Sequence, residues 1–242
     1  MKTVGSSDKG KLRVRNEDAY RFGFFDDGSA WGVVCDGMGG VHGGQLASNI
    51  AINMVSDKIK LCYTQSMPVT SLENLLLSAI TTANVTVFDR GIYDNSLKGM
   101  GTTIVATIIK NSTACIAHVG DSRAYKISEE SIEQITRDHS LVQEMLDKGQ
   151  ITKEEFENNP IKNIITRAMG VGEEIDVEFD FVELKKDEAI LMCSDGLSGM
   201  INEEKIHEIY KTTEFDKLTE KYIQAANDNG GLDNITVVVM KG

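Results

Sequence analysis

The stretch TTIVATIIKNSTACIAHVGDSRAYKIS (102–128) decides the fold class of this chain. It holds three segments of strand composition, TTIVATII (102–109), TACIAHVG (113–120) and RAYKIS (123–128), and only short turns separate them. Turns of that length join antiparallel neighbours, whereas parallel strands need a longer crossover. The stretch therefore predicts an antiparallel meander of three strands.

The remaining predicted elements place pairs of helices between groups of strands. Strands are indicated by runs of β-branched and aromatic residues between turn residues, and helices by apolar residues at helical spacing. Further strands are predicted over 19–25, 30–36, 175–184, 189–196 and 235–241, and helices over about 43–60, 71–90, 139–158, 202–211 and 215–227. Hairpins favour antiparallel sheets, and helix pairs need an apolar surface to cover. We therefore predict an α+β fold: an antiparallel β-sandwich of two sheets flanked on both sides by pairs of α-helices.

Capping-box patterns mark the expected starts of two of these helices. Thr70 and Glu73 have the required spacing ahead of the second predicted helix, and Thr152 and Glu155 have it within the third. In each pair the hydroxyl and the carboxylate are expected to bond reciprocally to backbone N–H groups.

Length and composition favour a single domain over residues 1–242. The chain has 242 residues, only 2 prolines and 41% hydrophobic residues, and no Pro-rich or Ser/Gly-rich linker divides it. A net charge of −12 argues against nucleic acid as a partner, because phosphate backbones need a basic surface. No run approaches the roughly 20 apolar residues that span a bilayer, so membrane insertion is not expected. A monomer is the expected oligomeric state.

The four cysteines favour a reducing compartment. They form no C-x-x-C pair and fit no zinc site, and Cys35, Cys115 and Cys193 lie in apolar runs typical of buried free thiols. The N-terminus has no apolar signal region. We therefore expect a cytoplasmic protein.

Aspartates stand at the ends of several apolar segments. VVCDGMGG (33–40) and LMCSDGLSG (191–199) place Asp-Gly after a strand, Asp233 precedes a strand, and Asp121 lies in a tight turn. A lone Asp-Gly is most often only a turn, as Asp27-Gly28 illustrates. Several carboxylates brought together would repel one another unless a cation lay among them, and oxygen ligands favour Mg²⁺ or Mn²⁺.

Six short motifs together resemble a known family. They are R-x-x-N-E-D (13–18), DGMGG (36–40), GTT (101–103), VGDSR (119–123), SDGL (194–197) and DN (233–234). In this order they closely resemble the metal-dependent protein phosphatases, the type 2C serine/threonine phosphatases in their short bacterial form. Residues 136–152 and 163–170 are similar to the flap region of bacterial members, so a flap subdomain is expected at about 140–170.

The resemblance implies a set of metal ligands. Asp36 would bridge two Mn²⁺ or Mg²⁺ ions, and the carbonyl of Gly37 would bind one of them. Asp195 and Asp233 would complete the other site. Asp121 would serve a possible third, weaker site. Asp36 and Asp195 are accordingly expected to be catalytic.

The same resemblance implies roles for four neighbouring residues. Arg13 would bind the substrate phosphate and act in catalysis, while Glu17 and Asp18 would hold water molecules around the metals. Asn234 would orient Asp233 or a water. The implied nucleophile is a water activated by two metal ions. None of the cysteines has an arginine six positions later, which disfavours a cysteine phosphatase.

The chain also departs from the family pattern. Met38 stands where many members have a histidine that can act as a general acid, and His42 is an alternative candidate. The implied partners are phosphorylated proteins and a bacterial Ser/Thr kinase whose action the chain opposes. Two alternatives remain open: a catalytically weak regulatory or binding member of the fold, and another two-metal hydrolase such as a phosphodiesterase.

Overall fold

The computed structural model describes residues 1–157, 159–161 and 163–242, with residues 40–42 and 157 described through their backbone alone. Its strands in chain order are β1 (Lys2–Asp8), β2 (Asp18–Phe24), β3 (Ala30–Met38), β4 (Gly101–Thr102), β5 (Ile104–Lys110), β6 (Thr113–Val119), β7 (Arg123–Ile127), β8 (Ile132–Gln134), β9 (Glu178–Glu183), β10 (Ala189–Cys193) and β11 (Ile235–Lys241). Its α-helices are α1 (Gly40–Cys62), α2 (Leu72–Tyr93), α3 (Leu141–Asp147), α4 (Lys153–Glu157), α5 (Asp195–Ser198), α6 (Glu203–Thr212) and α7 (Leu218–Asp228).

The strands form two antiparallel sheets. The first sheet has the order β1-β11-β10-β7-β8, and the second has the order β2-β3-β5-β6-β9 with β4 paired to β3. Helices α1 and α2 cover the outer face of the second sheet, and α6 and α7 cover the outer face of the first. The predicted α+β sandwich with helix pairs on both sides is therefore confirmed.

Three apolar layers hold these four layers of secondary structure together. Along β3, Val33 and Cys35 pack against the helices, whereas Val34 packs between the sheets. This alternation follows from the two-residue period of a strand, and it explains why the strand is apolar on both faces. Helix α2 contributes Leu76 and Ile80, both fully buried. Burying each such side chain stabilises the fold by about 1.5–3 kcal/mol.

The predicted three-stranded meander is wrong in its third strand. β5 and β6 pair as a hairpin, but β7 lies in the first sheet beside β10. The connection crosses between the sheets at Gly120, whose φ of 112° is a conformation that favours glycine. An added Cβ there would lie 2.6 Å from the side chain of Thr103. The tight turn therefore changes sheets instead of closing a second hairpin.

The two predicted capping boxes have different outcomes. Glu155 N donates to Thr152 Oγ1 at 3.2 Å and Thr152 N donates to Glu155 Oε2 at 2.8 Å, so this box is confirmed. The Thr70–Glu73 box is wrong, because α2 follows a 3₁₀ turn at Val69–Ser71 and has no side-chain cap. The 3₁₀ bond from Ser71 N to Pro68 O takes the place of that cap.

Helices α3 and α4 lie in the segment predicted as a flap at about 140–170, of which residues 158 and 162 fall outside the described part. The segment begins at Ser140, which forms a β-bridge with Ile165, and it rejoins the body where Met169 forms a β-bridge with Thr102. None of the described helices is long and apolar enough to cross a bilayer.

Candidate metal centre

The aspartates singled out in the sequence converge at one end of the sandwich. Asp36 lies near the end of β3, Asp195 begins α5 directly after β10, and Asp233 precedes β11. Asp18 stands opposite Asp36 in the β2–β3 register. Asp121 follows β6 in the turn that crosses between the sheets. Both sheets therefore contribute carboxylates to one place.

Burial and mutual repulsion raise the pKa values of four of these carboxyl groups, those of Asp18, Asp36, Asp121 and Asp195. For Asp36, burial and then the charges of Asp18, Asp195, Asp121 and Asp233 raise the pKa well above its usual value. Burial is also the largest cause at the other sites, where it raises the pKa of Asp195 to about 6, of Asp18 to about 7 and of Asp121 to about 8. Carboxylates in this arrangement are electrostatically unfavourable without a compensating cation.

Two carboxylate oxygens in the cluster are buried without a hydrogen-bond partner, Asp18 Oδ1 and Asp195 Oδ1. Buried oxygens are rarely left unpaired, so each calls for a ligand. An all-oxygen donor set suits a hard divalent cation such as Mg²⁺ or Mn²⁺ and does not suit zinc. The residues present therefore fit divalent metal ions.

Arg13 lies at the exposed rim of this cluster, in a segment of residues 9–15 that we call the arginine loop. Its Nη2 donates to Asp233 Oδ2 at 2.6 Å. The hydrogen bond to Asp233 raises the pKa of Arg13, and the charges of Asp195 and Asp36 raise it further. About half of the Arg13 side chain is exposed, so the guanidinium can meet an anion arriving from solvent.

Asn234 contacts Asp233 through its backbone, and its side chain bonds to the arginine loop. Its side chain does not bond to the Asp233 carboxylate; only its backbone N–H donates to Asp233 Oδ1, at 2.8 Å. The side-chain Nδ2 donates to Lys9 O and to Arg15 O, both at 2.9 Å, while Oδ1 accepts from Glu17 N at 2.8 Å. The side chain thus holds the backbone at both ends of the arginine loop.

Gly37 is required by close packing of β3 against α1. An added Cβ would lie 2.1 Å from Gly44 O and 2.6 Å from Glu17 O. The Glu17 carbonyl accepts from Gly37 N at 3.2 Å and from Ser48 Oγ at 2.6 Å. The carboxylate of Glu17 lies near Gly44, since a Cβ at Gly44 would come within 2.9 Å of Glu17 Oε2.

Hydroxyl groups support the aspartates in ways that spacing alone does not reveal. Thr103 Oγ1 accepts from Asp36 N at 3.0 Å and lies 2.7 Å from Ser122 Oγ. Thr102 Oγ1 donates to Asp36 O at 2.8 Å. These bonds join the Asp36 strand to the turn that carries Asp121. The GTT motif (101–103) indicated in the sequence that this segment belongs to the site, but it assigned no role to either threonine.

Ser194 supports Asp18 in the same manner. Its Oγ donates to Asp18 Oδ2 at 2.7 Å and accepts from Thr236 N at 3.0 Å. Because the hydroxyl is committed to the Asp18 carboxylate and to a backbone N–H, we interpret Ser194 as a support for Asp18 and not as a nucleophile.

A second titratable cluster consists of His118, His139 and Glu178. His139 Nδ1 accepts from Gly120 N at 3.1 Å, so in the neutral ring the proton resides on Nε2, which lies 3.1 Å from Glu178 Oε1. His118 Nε2 lies 2.9 Å from the carbonyl oxygen of Arg137. Within the described part of the chain, His139 Nε2 and His118 Nδ1 are both buried without a hydrogen-bond partner, and a metal at His139 Nε2 would have to displace its proton. The bond from Gly120 N makes His139 a support for the Gly120 turn.

A cavity of about 720 Å³ extends from the aspartate cluster towards the flap helices. Its lining includes Asp121, Asp195, Val142, Leu146, Phe156 and Met200. Of the two general-acid positions, Met38 has no proton to donate, and the side chain of His42 lies outside the described residues.

Comparisons with known proteins agree with this geometry. The sequence model of the family described as Protein phosphatase 2C matches residues 11–237. The serine/threonine phosphatase stp of Listeria monocytogenes is 39% identical over 240 residues, which cover 97% of this chain and 93% of that protein.

The crystal structure of Stp1 from Staphylococcus aureus has a TM-score of 0.93 and 31% identity, covering 99% of this chain and 94% of that one. The catalytic domain of PstP in complex with two manganese ions has a TM-score of 0.85 and 29% identity, covering 99% of this chain and 97% of that one. The chain therefore belongs to the protein phosphatase 2C family of serine/threonine phosphatases.

Proposed function

We propose that this chain hydrolyses phosphoserine and phosphothreonine in proteins by means of a pair of Mn²⁺ or Mg²⁺ ions. The observation that carries the proposal is the convergence of buried and partly buried carboxylates, two of them with a buried, unpaired oxygen, beside an exposed arginine. The names of the relatives support a protein substrate, and the manganese bound by PstP supports the choice of ion.

The proposed ligands come from both sheets. Asp36, the Gly37 carbonyl, Asp195 and Asp233 would hold the two ions, and Asp121 would belong to a possible third site. Ions bound there would supply Lewis acidity that lowers the pKa of a water and offsets the charge of the phosphate.

The other residues of the site would bind the substrate phosphate, or would orient the waters and carboxylates around the ions. Arg13 presents N–H donors in a fixed fork that matches two phosphate oxygens, and it remains charged at any physiological pH. Asp18 and Glu17 would accept hydrogen bonds from waters around the ions, with Ser194 fixing the orientation of Asp18. Thr103 holds the backbone of Asp36, so the carboxylate rests on a rigid strand.

The cellular setting is proposed on less specific grounds. We propose that the chain reverses the action of a Ser/Thr protein kinase on phosphorylated proteins. It would act as a monomeric single domain in the cytoplasm. The four cysteines are free, which fits a reducing compartment.

We further propose that the flap at about 140–170 influences which proteins are accepted, because α3 and α4 border the cavity that starts at the aspartates. Replacing residues 150–170 by the flap of a relative should change the order of preference among phosphopeptides more than it changes hydrolysis of p-nitrophenyl phosphate. An unchanged order of preference would contradict this role.

The deciding experiment is hydrolysis of p-nitrophenyl phosphate and of phosphoserine, phosphothreonine and phosphotyrosine peptides in EDTA, Mg²⁺ or Mn²⁺. We expect activity that needs the metal and favours the first two peptides. In Asp36→Asn and Asp195→Asn it should fall by about two or more orders of magnitude, because each loses a metal ligand.

The matched control is Asp26→Asn, which alters an exposed aspartate in the β2–β3 turn and should retain activity. Activity that survives EDTA would contradict the proposal. A folded protein without metal-dependent activity would favour the regulatory-module alternative. Faster turnover of phosphodiesters than of phosphopeptides would favour the other two-metal hydrolase.

A further inference from the structure

The arginine loop is a cationic segment in an acidic protein. Its seven residues, KGKLRVR (9–15), carry four positive charges and no negative charge, whereas the whole chain has a net charge of −12. All four cations are exposed. Clustering of one charge sign beside a site indicates a partner of the opposite sign.

The loop is built into the fold and is not a loose tail. Lys11 N and Leu12 N both donate to Gly231 O, at 2.8 and 3.3 Å. Asn234, only 4% exposed, donates to the carbonyl oxygens at both ends of the loop. Gly10 has a φ of 76°, and an added Cβ would lie 2.1 Å from Asp233 O. The backbone of the loop is therefore fixed against residues 231–234, the segment that precedes β11.

Only one cation of the loop is used by the proposed chemistry. Arg13 is the proposed ligand of the substrate phosphate, whereas Lys9 and Lys11 have no ion-pair partner among the described residues. Lys11 is two positions from Arg13, a separation of at most about 7 Å between Cα atoms. A substrate whose phosphate reaches Arg13 therefore brings its neighbouring residues close to Lys11, and Lys9 lies two positions further along the same fixed loop.

We propose that the arginine loop is a docking surface for acidic substrate segments, with Lys9 and Lys11 attracting Asp, Glu or a second phosphorylated residue within about three positions of the reacting one. This inference rests on the proposed function and names its preferred substrate class. An extended polyanion such as nucleic acid or an anionic membrane is disfavoured, because outside the loop the chain carries an even larger excess of acidic residues.

The test uses the Mn²⁺-loaded full chain and three phosphothreonine peptides that differ only in flanking Asp, Ala or Lys residues. For the unmodified protein we expect kcat/KM for the Asp peptide to exceed that for the Lys peptide about tenfold at low salt, falling towards twofold in 0.5 M NaCl. In Lys9→Glu/Lys11→Glu the ratio should fall to about one or invert. Because the readout is a ratio, a general loss of activity does not affect it.

The matched control is Lys186→Glu, an exposed charge reversal in the turn before β10, at the opposite end of that strand from Asp195. It should retain the tenfold ratio. Equal kcat/KM for the three peptides, or an equal change in both variants, would overturn the inference. So would binding to phosphatidylserine vesicles without any preference among peptides.

The two proposals fail in distinguishable ways. No hydrolysis of p-nitrophenyl phosphate or of any peptide would reject the proposed function. The docking surface would then still be tested by fluorescence anisotropy with non-hydrolysable phosphonate versions of the same peptides. Tighter binding of the Asp version, lost in Lys9→Glu/Lys11→Glu, supports the surface, and equal binding overturns it.

Discussion

Asn234 connects the arginine loop to the metal centre through a single buried amide. Each of its side-chain hydrogen bonds ends on a backbone group of residues 9–17, and Asp233 is its neighbour in the chain. Replacing this amide would therefore shift Arg13 relative to the carboxylates without removing any proposed metal ligand.

We predict that Asn234→Asp raises KM more than it lowers kcat and also reduces stability. A carboxylate has the size of the amide but cannot donate to the carbonyls of Lys9 and Arg15, and it would face them with negative charge. Losing a buried donor in this way costs about 1–3 kcal/mol. Steady-state kinetics with p-nitrophenyl phosphate and urea unfolding measure the two effects.

The same chemical change at Asn49, an exposed residue of α1 whose side-chain amide donates to Gln45 O, is the control and should alter neither quantity. A normal KM in Asn234→Asp together with lower stability would limit Asn234 to a structural role.

At this scale the sequence motifs selected residues that the structure brings together, and they left the contacts of those residues open. The motifs selected Arg13, Asp36, Asp195 and Asp233, and the structure brings them together. The contacts of Asn234 span more than two hundred residues of chain, so no local pattern could reveal them. Ser194 could be interpreted as a hydrogen-bonding neighbour of an aspartate, but its partner Asp18 could not be predicted. Thr103 was not recognised as a support, since a hydroxyl at a turn forms local bonds as easily as distant ones.

At the scale of elements, α2 anchors the return of the flap segment through Asn84. This fully buried side chain donates to Gly172 O and Glu173 O, both at 3.0 Å, and accepts from Gly170 N at 2.8 Å. Helix α2 therefore fixes the point where the chain comes back from the flap to pair with Thr102.

We predict that Asn84→Ala destabilises the protein by about 2 kcal/mol, because it leaves buried backbone groups without partners. A loss of that size lowers Tm by about 4–8 °C in a chain of this length. Thermal unfolding measures the loss, and limited proteolysis should show earlier cleavage near residues 168–173.

Asn229→Ala, at the exposed end of α7, is the matched control and should leave both readouts unchanged. Cleavage in Asn84→Ala that begins elsewhere in the chain would contradict the anchoring role.

Most element types could be predicted from periodicity, but β1 was missed and the helix predicted over 139–158 is two short helices, α3 and α4. The sheet to which a strand belongs could not be predicted. β5, β6 and β7 follow one another with short turns, and such turns fit a hairpin and a crossing between sheets equally well. The positive φ of Gly120 and its contact with Thr103 decide between them, and both depend on packing with the second sheet. The capping box at Thr70 failed similarly, because the 3₁₀ turn after Pro68 competes with it.

At the scale of the whole molecule, the carboxylate cluster links folding stability to pH and to metal. In the metal-free protein the pKa values of Asp195, Asp18 and Asp121 are raised to about 6, 7 and 8, and that of Asp36 is raised as well. In the unfolded chain these groups titrate near 3.8. The folded state therefore binds more protons between these values, and its stability falls as pH rises.

We predict that in EDTA the Tm of the protein decreases from pH 5 to pH 8, while in Mn²⁺ it decreases much less. Metal ions need deprotonated carboxylates, so the stabilisation that Mn²⁺ provides should be larger at pH 8 than at pH 5. Each unit by which a buried carboxyl pKa is raised corresponds to about 1.4 kcal/mol, so the combined effect should exceed that of any single surface charge. Asp36→Asn separates this cause from the general repulsion of an acidic chain, since it removes one carboxylate of the cluster and leaves every other acidic residue in place. The variant should show a weaker decline in EDTA and a smaller response to Mn²⁺. A Tm in EDTA that is constant or rises between pH 5 and pH 8 would show that the cluster does not oppose folding, and the electrostatic argument for a metal centre would lose its basis.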